Sequence, residues 1–156
     1  WLGHIADTLA AADPDNSDGY RANAATATAA LETLQADLAA QLAPLAGRAY
    51  IVPHDAYQYF ETAFSLPAAG AIALSDAAAP GPSRIAELRD RVAAGDIACI
   101  LTDPQTNPDW TAVLRENGIA ATAEVDADGT LVAPGPDAHA TILRGIADAL
   151  SGCLAP

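Results

Sequence analysis

From Arg48 onward the chain alternates short apolar runs with helical stretches, and this alternation limits its possible folds more than any other feature. The runs are "AYIVP" (49–53), "GAIALS" (70–75), "DIACIL" (96–101) and "IAATAEV" (119–125), and helical patterns cover about 55–64, 82–94, 108–117 and 137–152. Strands that read as continuous apolar runs between helices indicate a parallel sheet covered on both faces. The expected class is therefore α/β: a four-stranded, mostly parallel sheet flanked by helices.

A different pattern precedes this unit. Leu2, Ile5 and Leu9 fall at helical spacings within residues 1–12, and "ADPDNSD" then breaks the pattern. From about Asn16 to Ala43 there is no proline and much alanine, with Asp15, Asn16 or Ser17 available as a cap. Leu31, Leu34, Leu38 and Leu42 stay on one face of this long helix, which Pro44 and Gly47 end.

At 156 residues and 51% hydrophobic, the chain can bury roughly 70% of its unfolded surface in one packed core. Seven arginines, no lysine and twenty Asp plus Glu give a net charge of −13, which repels phosphate backbones and anionic lipid heads. Nucleic-acid and membrane partners are thereby disfavoured, and no apolar stretch approaches the ~20 residues of a membrane-spanning helix. The sequence opens on Trp1-Leu2 without a methionine, which suggests a mature or excised piece of a longer product.

In parallel α/β sheets, ligands collect beyond the carboxyl ends of the strands. Four segments fall there: "PHDAY" (53–57), "SDAAAPGPS" (75–83), "TDPQTNPD" (102–109) and "VDADGT" (125–130). Together they offer carboxylates and one imidazole. His54 suits borderline-soft metals, whose sites carboxylates complete, and its alternative role is a local hydrogen bond at a strand end. Asp55 is placed to cap the helix of 55–64. Asp126 ends a strand on the same edge as His54, whereas Asp128-Gly129 reads as a turn. The full calcium-loop pattern fails because no glutamate follows at the required distance. His4 and His139 lie in helical patterns and read as surface residues. No nucleophile motif accompanies His54 and Asp55, so a hydrolase reading has weak support and a general-base role for His54 stands last. Cys99 and Cys153 fit equally a pair of buried thiols and a disulfide formed in an oxidising compartment.

Taken in order, "YIVPHDAYQYFETAFSL", "PGPSRIAELRDRV", "IACILTDPQTNPDW" and "LRGIADALSGCL" resemble the carboxyl-terminal half of the periplasmic zinc-binding proteins of ABC importers, the ZnuA type. Residues 1–47, with "ADPDNSDGYRANAA", resemble the stretch that ends in that family's long interlobe helix. The resemblance implies a domain division into 1–47, a short helix plus the backbone helix, and 48–156, the carboxyl-terminal lobe. It implies that the amino-terminal lobe, with two further histidine ligands and a histidine-rich loop, is absent from this sequence.

Carried over by position, His54 matches the histidine that binds zinc from the carboxyl-terminal lobe. Asp126 matches an aspartate that approaches or completes the metal site in some members. Cys99 and Cys153 match a disulfide-forming pair. Asp103-Pro104-Gln105 matches a Glu-Pro-Gln segment to which no ligand role is assigned. Two departures stand out: Pro53 precedes the His-Asp-Ala-Tyr motif, and Asp126-Ala127-Asp128-Gly129 replaces an Asp-Pro-Leu-Gly turn.

The implied function is capture of zinc in the periplasm and delivery to an ABC importer permease, without catalysis. Binding by this chain alone is expected to be weak or absent, because it brings one good ligand and one possible one. A lobe that docks to the permease or to a metallochaperone without holding metal is the alternative. An uncovered leucine stripe on the long helix would favour a homodimer.

Overall fold

The structure is a computed structural model, and it describes residues 1–74, 79–105, 107–116 and 120–155. It divides into two compact units, Trp1–Ala39 and the residues from Ala40 on.

The first unit holds helix α1 (Leu2–Ala12) and most of helix α2 (Ser17–Leu42), joined through a 3-10 turn at Pro14–Asn16. Asp13 fastens the junction, because its Oδ2 accepts from Asn16 Nδ2 at 2.8 Å and from Tyr20 Oη at 2.9 Å. The buried face of α1 is not the expected Leu2/Ile5/Leu9 stripe but Ala6 and Ala10. Ala6 lines a groove together with Ala24, Ala25 and Ala29 of α2. Ile5 and Leu9 are left exposed. On α2 the expectation of an open leucine stripe is also corrected: Leu34, Leu38 and Leu42 are buried, and only Leu31 of the four is exposed.

The second unit carries the sheet. Its strands are β1 (Tyr50–His54), β2 (Gly70–Ala73), β3 (Cys99–Thr102) and β4 (Ala121–Glu124), all parallel, in the order β2-β1-β3-β4. Between them run α3 (Gln58–Phe64), α4 (Pro82–Ala93) and α5 (Pro108–Arg115), and α6 (Ala138–Leu154) closes the chain. Proline stands at the first position of α4 and of α5, where a helix leaves an N–H unused in any case. Asn107 Oδ1 caps α5 by accepting from Asp109 N at 2.9 Å.

The sheet is covered on both faces. Ile51, Ile72 and Ile100 pack with Leu88 and Val92 of α4 and Leu114 of α5. The alternate strand residues Tyr50, Cys99 and Leu101 are buried too, as are Ile146, Ala147, Leu150 and Leu154 of α6. A disulfide between Cys99 of β3 and Cys153 of α6 ties the last helix to the sheet. Tyr50 donates its hydroxyl to the carbonyl of Leu66 at 2.8 Å, so the one polar atom of this buried ring is satisfied.

Two edges depart from the simple reading. The run 119–125 forms an edge strand whose Ala121, Thr122 and Glu124 are exposed, and burial is confined to the flanking Ala120 and Val125. Ile119, with which the run was expected to begin, lies outside the described residues. At the other edge, arginines from α4 occupy the carbonyls of the β2 segment: Arg84 Nε and Nη2 donate to Ala71 O at 3.0 and 2.8 Å, and Arg91 Nη1 donates to Ala69 O at 2.9 Å. Carbonyls engaged in this way are not available to a foreign strand.

Strand order creates the crevice. The chain steps from β1 to β2 on one side and then crosses to β3 on the other, so β1 and β3 flank the topological switch point. Pro53 opens it. The carbonyl of Ala49 accepts from Ala98 and that of Tyr50 from Ala69, so odd-numbered residues of β1 address β3. Pro53 belongs to that set and has no N–H to give. The β1–β3 register accordingly runs Tyr50–Cys99 and Ile51–Ile100, while His54 still pairs with Ala73 of β2.

Candidate functional site

His54 stands at the carboxyl end of β1, and Asp103 follows the last residue of β3 directly. Their side chains meet across the switch point, with His54 Nε2 3.4 Å from Asp103 Oδ2. The imidazole side chain is 25% exposed and the carboxylate side chain 11%, so the pair is reachable but largely enclosed. Asp103 is held in place by its own loop, its Oδ1 accepting from Gln105 N at 2.8 Å. The cleft around them has a volume of about 250 Å³, and Tyr57, Trp110, Asp126 and Asp128 also line it.

Tyr57 packs beside the histidine, with ring centroids 5.9 Å apart and planes inclined at 52°. It is 5% exposed, and its hydroxyl has no hydrogen-bond partner among the described residues. Burial pushes its ionisation far above the ordinary tyrosine value, and the negative charges of Asp103 and Asp128 add to that. Asp128 is itself tethered, since its Oδ2 accepts from Gln105 Nε2 at 3.3 Å.

Asp126 lines the same cleft, but its carboxylate organises a turn. Oδ1 accepts from Thr130 N at 2.8 Å and Thr130 Oγ1 at 2.9 Å, and Oδ2 accepts from Leu131 N at 2.7 Å. These bonds, led by that from Leu131 N, hold its ionisation below the usual carboxylate range. Gly129 makes the turn possible. It has φ +69°, and a Cβ there would sit 2.6 Å from Ile142 Cδ1.

The expected capping role of Asp55 is corrected. Helix α3 begins three residues later, its N-cap is Tyr57, and no side chain caps it. Ala56 N donates to His54 O at 2.9 Å, and this tight turn keeps residues 55–57 out of the helix. His4 and His139 are exposed, on α1 and in the first turn of α6. Ser75 and Asp76, from the second carboxyl-end segment, lie outside the described residues. Among the described residues no group of three or more His, Cys, Asp and Glu side chains is disposed to hold a metal ion. The approach of Asp103 to His54 was not anticipated from sequence. The usable signal was its place at a strand end, but only the strand order shows that this strand neighbours β1.

The family model described as "ZnuA: Zinc-uptake complex component A periplasmic" matches residues 1–153, and the chain belongs to this family. The High-affinity zinc uptake system protein ZnuA of Paracoccus denitrificans is 37% identical over 155 residues, covering 99% of this chain and 48% of that protein. The protein of the same name from Brucella abortus is 35% identical over 150 residues, covering 96% and 45%. A crystal structure of ZnuA superposes with a TM-score of 0.77 at 25% identity, over 97% of this chain and 56% of that one. The chain thus spans about half the length of the curated relatives it matches.

Proposed function

We propose that this chain is the carboxyl-terminal lobe, with its interlobe helix, of a periplasmic binding protein that captures zinc and passes it to an ABC importer permease. In this reading residues 1–47 form the connecting helices and 48–156 the lobe. Zinc is the cargo, His54 is the principal ligand of this half, and Asp126 stands at the rim as a further candidate. The observation that carries the reading is an imidazole at the switch point facing a carboxylate 3.4 Å away, in a chain of the zinc-uptake family. Nitrogen and oxygen donors of this kind suit zinc, and their partial enclosure lets an ion enter and leave.

Two or three donors fall short of the four that a closed zinc shell takes, so the remaining ligands come from outside this sequence. The lobe alone then binds zinc weakly. Calorimetric titration of the chain with zinc tests this: weak heats that vanish in His54→Ala are expected, and a tight one-to-one site in a monomeric chain would overturn the half-site reading.

The permease and a periplasmic metallochaperone are the partners this reading implies, and a surface of net charge −13 calls for cationic patches on them. Dimerisation through the α2 stripe loses its ground, because three of its four leucines are buried. The exposed Trp1, Ile5 and Leu9 remain as apolar surface for self-association, which light scattering over a concentration series would detect.

A further inference from the structure

We propose that β4, the open edge of the sheet, pairs antiparallel with β4 of a second copy of this chain; the proposal is independent of the zinc reading. The two edges of the sheet are not alike. At β2 the arginines of α4 occupy the carbonyls of Ala69 and Ala71. At β4 the edge is bare. Ala121 N donates to Ala98 O and Val125 N to Thr102 O, so odd-numbered residues of β4 address β3. Thr122 and Glu124 therefore turn their N–H and C=O groups away from the sheet, where they have no backbone partner among the described residues. Both residues are exposed, and an edge of this kind is a template for another strand.

Charge and register select a second copy as that strand. Thr122 and Glu124 line a groove beside the edge together with Thr111, Ala112 and Arg115 of α5. Arg115 and Glu124 are both exposed, and neither makes an ion pair among the described residues. A two-fold axis through Ala123, perpendicular to the sheet, sets Thr122 against Glu124 of the second copy and Glu124 against Thr122 of the second copy. Such residues exchange N–H···O bonds both ways with Cα atoms about 5.5 Å apart. Cross-strand neighbours share a face, so each incoming Glu124 carboxylate enters the groove that carries Arg115. A register centred on Glu124 would oppose two glutamates, which is destabilising, and one centred on Thr122 would need the buried Ala120. The strand has only four residues and each copy carries a charge of −13, so the contact belongs to the small, transient class of interface.

Sedimentation velocity of the chain over a concentration series reaching about 1 mM tests the proposal, because weak complexes populate there. A monomer–dimer equilibrium is expected. Thr122→Pro removes an outward N–H that β3 does not use and should abolish the dimer, with far-UV circular dichroism verifying the fold. Arg115→Glu sets two carboxylates together across the interface and should weaken association about tenfold or more, whereas adding Glu124→Arg should restore it to within about threefold. Should Thr122→Pro not fold, the charge swap alone decides. A chain that stays monomeric throughout leaves the edge to another kind of partner and overturns the proposal. A dimer indifferent to Thr122→Pro does so too, and points to the exposed Trp1, Ile5 and Leu9 instead. Loss in Arg115→Glu without rescue by the swap overturns the register.

Discussion

Replacing Cys99 and Cys153 together by alanine tests whether the sheet and α6 depend on their covalent tie. The half-cystines are 54 positions apart, and closing a loop of that length lowers the entropy of the unfolded chain by an amount worth about 4 kcal/mol at 25 °C. Cys99 and Cys153 are both buried, so the small void that alanine leaves at each adds to this loss rather than offsetting it. Against a total stability of roughly 5–15 kcal/mol for a domain, a loss of about 4 kcal/mol is large. Urea unfolding followed by circular dichroism should show a much lower midpoint for the double variant, and the parent chain in excess reductant should approach it. A difference below about 1 kcal/mol would refute the reasoning, since the bridge would then not restrict the unfolded chain as the loop-entropy argument requires.

Tyr50→Phe removes the hydroxyl that satisfies Leu66 O in the core and should cost roughly 1–3 kcal/mol in the same assay; an unchanged midpoint would contradict the burial of that bond. Acid should loosen the turn of residues 126–131. Asp126 has a depressed folded pKa, so its contribution is present above the unfolded value of about 4 and is lost as pH falls through the lower folded value. The Thr130 and Leu131 amide resonances should shift in that acid range and stay constant above it. In alkali the sign reverses. Burial raises the folded pKa of Tyr50 and Tyr57, so their contribution holds below the unfolded value of about 10 and is lost as pH rises beyond it. Absorbance at the phenolate band should therefore show these two rings resisting ionisation until the chain unfolds. Gly70→Ala places a Cβ 2.7 Å from Arg84 Nη2 and should dislodge the arginine from Ala71 O, a modest destabilisation that combining it with Arg84→Ala would not increase.

The α/β character was legible because three of the four strands are buried on both faces and read as apolar runs. β4 shows the limit of that signal, since an exposed edge strand of alanine and threonine carries almost no hydrophobic pattern of its own. Helix starts were less legible. Asp55 has the chemistry of a cap, but the turn closed by Ala56 N and His54 O comes first. The α1 stripe misled for another reason: the face that is buried carries the small Ala6 and Ala10, which a search for large apolar side chains passes over, and the larger Ile5 and Leu9 are exposed. His54 was identifiable because it closes an apolar run, whereas its neighbour depended on strand order, which periodicity does not encode. Pro53, noted in the sequence only as a departure from the family motif, proves to end the β1–β3 pairing and so to open the cleft. For the cysteines, count and spacing left two states open, and the resemblance pointed to the disulfide that the structure contains.

X-ray absorption at the zinc edge of the chain loaded with one equivalent of zinc is the most direct test of the central claim. The account predicts nitrogen and oxygen donors at about 2.0–2.1 Å with imidazole scattering from a single histidine, lost in His54→Ala. A spectrum of hydrated zinc without imidazole scattering, or one left unchanged by His54→Ala, would contradict it.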